Sequence, residues 1–212
     1  MIRIDKFVVN QLGENSLVVS DESGECIFID PGFYFNEEKE EISTYISENK
    51  LRPVKIVNTH CHFDHVMGVE YIRRKYQIPF VIYPDDEFLL QSAVSQGDMF
   101  GLKIEPLSPP DAYLSDKEEV TFGNTKMKVF HVPGHSPGHV VFYHEKSENL
   151  IAGDVLFNGS IGRTDLPGGN YNQLVSGIKE KLLVLPAKTR VYCGHGPETT
   201  IGFEKNNNPF LN

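Results

Sequence analysis

The stretch "NTHCHFDHVMG", from Asn58 to Gly68, places three histidines and an aspartate within six positions. His60, His62 and Asp64 are two residues apart, and in an extended segment side chains with this spacing share one face. A helix would spread the same side chains around its axis. His65 follows directly after Asp64 and adds a third imidazole. The convergence of these groups in one short loop predicts a metal site.

Three further segments place a histidine or an aspartate at the end of an apolar run. "KVFHVPGHSPGHVVF" holds histidines at spacings of four, but its prolines and glycines exclude a helix, so the central His135 is predicted in a turn between two strands. Asp154 follows "LIAG", and His195 follows "RVYCG". The ends of strands are rigid supports that leave side chains accessible, which suits a functional site.

The candidate ligands together are His60, His62, Asp64, His65, His135, Asp154 and His195. One tetrahedral ion cannot use five imidazoles and two carboxylates. Two ions that share a bridging carboxylate would use them all, so the set predicts a binuclear centre.

Length and composition are those of an ordinary globular chain. The 212 residues are 40% hydrophobic and 23% charged, which suits one domain with a sizeable core. The net charge of -9 argues against nucleic acid or an anionic membrane as partner, so we expect a small-molecule substrate. The composition leaves the oligomeric state open.

Three widely spaced cysteines, Cys26, Cys61 and Cys193, form no disulfide framework. The N-terminal segment lacks the apolar region of a signal peptide, and no apolar run approaches the length of a membrane span. These features predict a cytoplasmic protein. Cys61 and Cys193 are predicted to pack in the interior.

Short β-branched and aromatic runs alternate with amphipathic segments along the chain. Helices are predicted over residues 37–50, 65–77, 85–96 and 171–185. The segment 158–170 is predicted as a glycine-rich loop, and the tail from Glu204 as short and polar. Strand runs mixed with a few helices favour a layered α/β sandwich, although periodicity alone does not name the fold.

The ordered motifs H-x-H-x-D-H, "PGHSPGH", "AGDVLF" and "CGHGP" resemble those of the metallo-β-lactamase superfamily. The resemblance implies an α/β fold, a four-layer αββα sandwich, with the metals at one edge of the packed sheets. It implies that the first metal is bound by His60, His62 and His135, the second by Asp64, His65 and His195, and that Asp154 bridges them.

"IGRTDLPGG" and "GPETTIGFEKNNNPFLN" are similar to the short members of the glyoxalase II group. This similarity implies a single metallo-β-lactamase-like domain over residues 1–212, without the C-terminal helical domain that binds glutathione in longer members. The implied activity is hydrolysis of small, anionic acyl thioesters by a metal-bound hydroxide, with Asp64 and Asp154 as catalytic residues. The implied cofactors are two divalent ions, zinc first, with iron or manganese as alternatives.

Three other functions compete with the thioesterase. A persulfide dioxygenase shares the fold and would hold one iron with His60, His135 and Asp154. A lactonase or β-lactamase would keep the binuclear centre for another substrate. A metal-binding module without catalysis is the third, and the complete ligand set disfavours it.

Two further residues have a functional and a structural interpretation. Arg163 lies among glycines and would bind a substrate carboxylate, or it pairs locally with Asp165. Asp30 in "FIDPG" orients a ligand by hydrogen bonding, or it only forms the turn. Of the remaining histidines, His131 is predicted as a strand residue, His139 as a hydrogen-bonding residue and His144 as a surface residue.

Overall fold

A computed structural model of the chain describes residues 2–211. It contains two compact units, each built on a six-stranded sheet. The first unit reaches Tyr113 and also includes Thr121–Thr125, and the second comprises Leu114–Val120 and the chain from Lys126 onward. The single domain expected over residues 1–212 remains a prediction.

The sheet of the first unit is mixed, and its strands follow chain order. They are β1 (Arg3–Val9), β2 (Glu14–Ser20), β3 (Glu25–Ile29), β4 (Arg52–Val57), β5 (Phe80–Ile82) and β6 (Ala112–Tyr113). The first three are antiparallel, and β3 to β6 run parallel. Every residue of β2 is buried, whereas the edge strand β1 is only partly buried, which agrees with their positions in the sheet.

Three helices complete the first unit: α1 (Asn36–Glu48), α2 (Val69–Tyr76) and α3 (Glu87–Met99). In α1, Ile42 and Ile46 are buried in the hydrophobic core, as their spacing predicted. The helix predicted from residue 65 begins later, at Val69, because a 3₁₀ turn over Phe63–His65 takes up the preceding residues.

The sheet of the second unit is also mixed. Its strands are β7 (Glu119–Phe122), β8 (Thr125–His131), β9 (Val140–His144), β10 (Asn149–Gly153), β13 (Arg190–Cys193) and β14 (Thr199–Thr200), in the spatial order β14-β13-β10-β9-β8-β7. A separate hairpin of β11 (Leu156–Phe157) and β12 (Ser160–Ile161) follows β10. The ends of β7 and β8 and the turn that joins them fall within the first unit. The segment 158–170, predicted as a glycine-rich loop, begins with the turn and the second strand of the β11–β12 hairpin.

Two helices belong to the second unit. The helix α4 (Tyr171–Gly177) continues as a π-helical turn over Ile178–Leu182, and its apolar face packs in the core. The helix α5 (Ile201–Asn207) lies where a polar tail was predicted. It forms because Thr200 caps its first turn by accepting a hydrogen bond from the Phe203 amide, and because Ile201 is buried.

In each unit, candidate residues follow two neighbouring parallel strands and therefore lie at one edge of the sheet. In the first unit, Asp30 follows β3 and His60 follows β4, and these strands are parallel partners. In the second unit, Asp154 follows β10 and His195 follows β13, which are also parallel partners. The carboxyl ends of parallel strands lie at one edge, so each pair of side chains starts close together.

Among residues 2–211, no helix has both the length and the apolar character needed to cross a membrane.

Candidate metal centre

The histidine loop of the first unit is compact and buried. His60 is 1% and His65 0% exposed, and their ring centroids lie 4.1 Å apart. The ring of His62 lies 4.8 Å from that of His60. Asn58 closes the loop by donating its side-chain amide to the carbonyls of His60 and His65, at 3.2 and 2.9 Å. Hydrogen bonds within the segment therefore hold the backbone at His60 and His65.

Asp30 organises two of these histidines. Its carboxylate accepts hydrogen bonds from the Thr59 amide at 2.6 Å and the Thr59 hydroxyl at 2.5 Å, and it lies 3.2 Å from His65 Nδ1. The Thr59 hydroxyl oxygen in turn lies 3.1 Å from His60 Nδ1. Asp30 also has a left-handed backbone, with φ of 50°. It both forms the turn and orients the histidines, so its two interpretations hold together.

Glu14 is a buried residue of this cluster that no sequence pattern predicted. It is 0% exposed, and its Oε1 lies 3.6 Å from His65 Nδ1. Burial raises the pKa of the Glu14 carboxyl well above its ordinary value, and the nearby His65 opposes part of that rise. In the sequence Glu14 reads as part of the turn "GEN", and no local pattern marks it as a neighbour of His65.

The backbone of the loop also has partners that no sequence signal marked. Asn10 donates its side-chain amide to the carbonyls of Gly32 and Asp64, both at 3.1 Å. Asp86 accepts a hydrogen bond from the Cys61 amide at 3.1 Å. These contacts join segments that are distant in the chain.

The second unit brings together the remaining three candidates. Asp154 Oδ2 lies 3.6 Å from His135 Nε2 and 3.7 Å from His195 Nε2. His135 donates from Nδ1 to the carbonyl of Arg163 at 2.9 Å. This hydrogen bond fixes the orientation of the ring, with Nε2 pointing away from that carbonyl. Metal-binding histidines usually carry such an outer hydrogen bond. A carboxylate beside two imidazoles has the chemistry of a bridging ligand.

The other histidines have mainly structural contacts. His139 Nε2 accepts a hydrogen bond from the Asp154 amide at 3.0 Å, which agrees with the predicted hydrogen-bonding residue. His131 ends β8, as predicted, and its Nε2 lies 2.8 Å from the Pro137 carbonyl. The surface position predicted for His144 is wrong. This residue is 6% exposed, because it ends the central strand β9 and its Nδ1 lies 2.6 Å from Ser147 Oγ.

All three cysteines are buried thiols, as was predicted for Cys61 and Cys193. Burial raises the pKa of Cys61 well above its ordinary value and that of Cys26 to about 12. Cys193 is 2% exposed in β13. Because thiolates are the form that binds metals, these values argue for packing roles of Cys26 and Cys61.

Arg163 forms the local ion pair that was one of its two interpretations. Its Nε and Nη2 donate to the two carboxylate oxygens of Asp165, both at 2.7 Å. The guanidinium lowers the pKa of Asp165 to about 2. Both side chains are exposed, so the pair is accessible to an anionic group that would compete for the arginine.

The two clusters offer imidazole nitrogens and carboxylate oxygens. In the first cluster, one ligand atom each from Asp30, His60 and His65 lie within 4.8 Å of one another. Such donors suit zinc, and also iron or manganese. The donor chemistry therefore fits divalent metals but does not select one.

The sequence model of the metallo-β-lactamase superfamily matches residues 9–195. The chain belongs to the metallo-β-lactamase superfamily. The predicted α/β fold class is thus confirmed, with one mixed sheet and its helices in each unit.

Two superfamily relatives have names that refer to an activity. A probable metallo-hydrolase, YqgX, of Bacillus subtilis is 40% identical over 92% of this chain and 90% of its own length. The hydroxyacylglutathione hydrolase GloC of Haemophilus influenzae is 34% identical over 100% of this chain and 99% of its own. The similarity to short glyoxalase II-like hydrolases is therefore confirmed.

Two solved superfamily structures match nearly the whole chain. BLEG-1, described as a B3 metallo-β-lactamase, is 37% identical with a TM-score of 0.90, and the match covers 100% of this chain and 99% of that one. TTHA1623, solved in a di-iron-bound form, is 38% identical with a TM-score of 0.89, over 98% and 100% of the two chains.

Proposed function

We propose that this protein is a binuclear metallohydrolase that cleaves small acyl thioesters. The observation that carries the proposal is the position of Asp154, whose carboxylate lies within 3.7 Å of the Nε2 atoms of both His135 and His195. In this position the carboxylate can share an ion with each of the two imidazoles, which supports a bridging role. The names of two relatives, a metallo-hydrolase and a hydroxyacylglutathione hydrolase, support the same activity class.

The proposed ligands are those that the sequence predicted. As the superfamily resemblance implies, His60, His62 and His135 would hold one ion, Asp64, His65 and His195 would hold the other, and Asp154 would contribute to both. When bound, the ions supply hydroxide at neutral pH and polarise the carbonyl of the substrate. Asp30 and the carbonyl of Arg163 hold His65 and His135 in place through their Nδ1 atoms.

The substrate class follows from charge and leaving group. Two divalent ions with only two carboxylate ligands leave the centre net positive, which favours an anionic substrate. Asp64 would accept a hydrogen bond from the nucleophile and orient it. A thiol of ordinary pKa, about 8.5, leaves with little help from an acid, so the reaction needs no additional proton donor. Arg163 would bind a substrate carboxylate by exchanging its partner Asp165.

A β-lactamase activity is the second candidate. It is favoured by the likeness to BLEG-1, which extends over the whole chain at 37% identity. The amine that leaves a β-lactam is a poorer leaving group than a thiolate, so we expect any such activity to be weaker than thioester cleavage. The di-iron form of TTHA1623 supports iron beside zinc as the native metal.

The proposed location is the cytoplasm, because the three cysteines are separate buried thiols. The proposed partner is a small anionic thioester, and neither nucleic acid nor membrane is proposed.

One experiment tests the function and its alternatives together. Metal content is measured by elemental analysis in protein purified without added metal and in metal-replete protein. Both are then assayed for thiol release from S-lactoylglutathione and shorter thioesters, for β-lactam hydrolysis, and for oxygen uptake on glutathione persulfide. We expect close to two ions per chain and thiol release that chelation abolishes. His65→Ala should weaken the binding of one ion selectively. Oxygen uptake with one iron per chain and no thiol release would replace the hydrolase with the dioxygenase.

A further inference from the structure

Two motifs that resemble the short glyoxalase II group, "IGRTDLPGG" and "GPETTIGFEKNNNPFLN", both lie in the second unit. The first begins in the β11–β12 hairpin, and the second contains β14 and the helix α5. The second motif also contains Glu204, which is 0% exposed and contacts the turn of the hairpin that leads into the first motif. The carboxylate of Glu204 is not among the proposed metal ligands, and the proposed reaction does not use it.

Glu204 holds the turn of the hairpin. Its two carboxylate oxygens each lie 3.1 Å from the amide of Gly159, the turn residue between β11 and β12. Oε1 also accepts a hydrogen bond from the Thr199 hydroxyl at 2.5 Å. Gly159 has φ of +71°, a backbone conformation that favours glycine, and its amide is bonded to this buried glutamate.

Asn208 and Glu204 together form a clamp on the hairpin. The side-chain amide of Asn208 donates to Glu204 Oε2 at 2.7 Å and to the Ser160 carbonyl at 3.0 Å. Its Oδ1 accepts from the Phe210 amide at 3.0 Å. Glu204 and Asn208 therefore hold both sides of the hairpin turn, one through an amide and the other through a carbonyl.

The hairpin lies in the chain between Asp154 and the Gly162–Arg163 backbone, which contacts His135. It begins two residues after Asp154 and leads directly to Gly162 and Arg163. A Cβ at Gly162 would lie 1.9 Å from the Asp154 carbonyl and 3.1 Å from His135 Nδ1, so this backbone packs tightly on both residues. The next carbonyl, that of Arg163, accepts the hydrogen bond from His135 Nδ1.

We propose that Glu204 is a positioning residue for His135, acting through the β11–β12 hairpin and the Arg163 carbonyl. Its buried bonds set the hairpin, the hairpin sets the carbonyl, and the carbonyl sets the orientation of the imidazole. This inference rests on the proposed function, because a role in positioning His135 matters only if His135 binds a metal.

The donors around Glu204 explain why a carboxylate is required. The Gly159 amide, the Thr199 hydroxyl and the Asn208 amide all donate to it, and an ionised carboxylate only accepts. A glutamine would turn an NH₂ group toward one of these donors. Glu204→Gln thus keeps the size of the side chain and breaks the clamp, because buried polar groups lose their partners.

The test compares Glu204→Gln with two matched variants. Thr199→Val removes one donor while keeping the shape, and Glu145→Gln makes the same substitution at an exposed, lysine-paired glutamate of the second unit. The dissociation constant of each ion is measured by chelator competition well below the unfolding temperature. The absorption spectrum of the cobalt(II)-loaded protein is recorded as a report of ligand geometry, and thermal unfolding is followed separately.

For Glu204→Gln we expect the dissociation constant of one ion to rise tenfold to a hundredfold, as is typical for outer hydrogen-bond partners of metal ligands. Its cobalt spectrum should change, and saturating metal should restore activity. Thr199→Val should show the same changes to a smaller extent, and it keeps the test valid if Glu204→Gln does not fold. Glu145→Gln should match the wild type. If Glu204→Gln and Thr199→Val lower the thermal stability but leave the ion affinity and the cobalt spectrum unchanged, the positioning role of Glu204 is wrong. The proposed function would not be affected by that result. A wild-type protein without bound metal would overturn the proposed function first, and this role with it.

Discussion

The Thr59 hydroxyl donates a 2.5 Å hydrogen bond to Asp30 and lies 3.1 Å from His60 Nδ1, so one carboxylate acts on two histidines. It reaches His60 through Thr59 and contacts His65 directly at 3.2 Å. Asp30→Asn keeps a residue that tolerates the left-handed backbone but removes the charge. We expect the dissociation constants of both ions to rise about tenfold or more, measured by chelator competition.

Thr59→Val provides the matched control for Asp30. It removes the link to His60 and leaves the contact with His65. We expect it to weaken mainly the ion assigned to His60. Equal weakening of both ions by Thr59→Val would contradict the separate paths from Asp30.

Among the histidines of the middle motif, His135 should be the ligand. His135→Ala should lower the metal content toward one ion per chain or less, whereas His131→Ala should leave it unchanged, because His131 contacts the Pro137 carbonyl. His139→Gln should retain both ions, with reduced activity, since it disturbs the amide of Asp154. Elemental analysis of replete proteins decides the point. A full site in His135→Ala beside an emptied one in His139→Gln would reverse the assignment.

The Arg163–Asp165 pair should control access of anionic substrates to the guanidinium. Arg163→Ala should raise KM several-fold with little change in kcat, as expected when ground-state and transition-state binding are lost together. Asp165→Asn should lower KM, because the guanidinium no longer has a competing carboxylate. Steady-state kinetics with a carboxylate-bearing and a neutral thioester measure both effects.

The neutral thioester is the control, and its KM should not respond to either change at Arg163 or Asp165. Because the arginine lowers the pKa of Asp165 to about 2, the pair remains charged throughout the usual assay range. A KM that changes equally for both substrates would show that Arg163 shapes the loop and does not bind the carboxylate.

Gly32 should tolerate no side chain. A Cβ at this position would lie 2.2 Å from the Asp64 carbonyl and 2.4 Å from Glu14 Oε2, and neither of these buried groups can move freely. Gly32→Ala should cost at least about 2 kcal/mol of unfolding free energy, measured by denaturant titration. Gly101→Ala is the control. Its Cβ would meet nothing within 4 Å, so only the left-handed backbone, with φ of +72°, contributes about 1 kcal/mol. Equal losses in the two variants would remove the steric argument.

His144 should make stability depend on pH. Burial lowers the pKa of its imidazole, with a further contribution from Lys146. A lowered native pKa means that the unfolded chain binds a proton first as the pH falls below about 6.5. The contribution of His144 is therefore fully present above that pH and is lost on acidification. His144→Gln should lose less unfolding free energy than the wild type between pH 7.5 and 5.5, and parallel pH profiles of the two proteins would refute the assignment.

The sequence by itself determined most of the proposed metal ligands. His60, His62, Asp64 and His65 lie in one short loop, so their proximity follows from local geometry and needs no knowledge of the fold. The ends of strands at Asp154 and His195 were also readable, because apolar runs that stop at a polar residue mark them. The helix α1 followed from the spacing of Ile42 and Ile46.

Only the tertiary structure decided which groups support these ligands. Glu14 lies beside His65 and Glu204 holds Gly159, yet neither pair has a local signal, because each contact joins distant parts of the chain. The helix α5 was missed for the same reason. Its sequence is polar, and it is stabilised by the cap at Thr200 and by burial of Ile201 and Glu204 against the second unit's own core and hairpin. Local patterns specify ligands and periodic faces, whereas the partners of a buried polar group are chosen by packing, which no short stretch of sequence encodes.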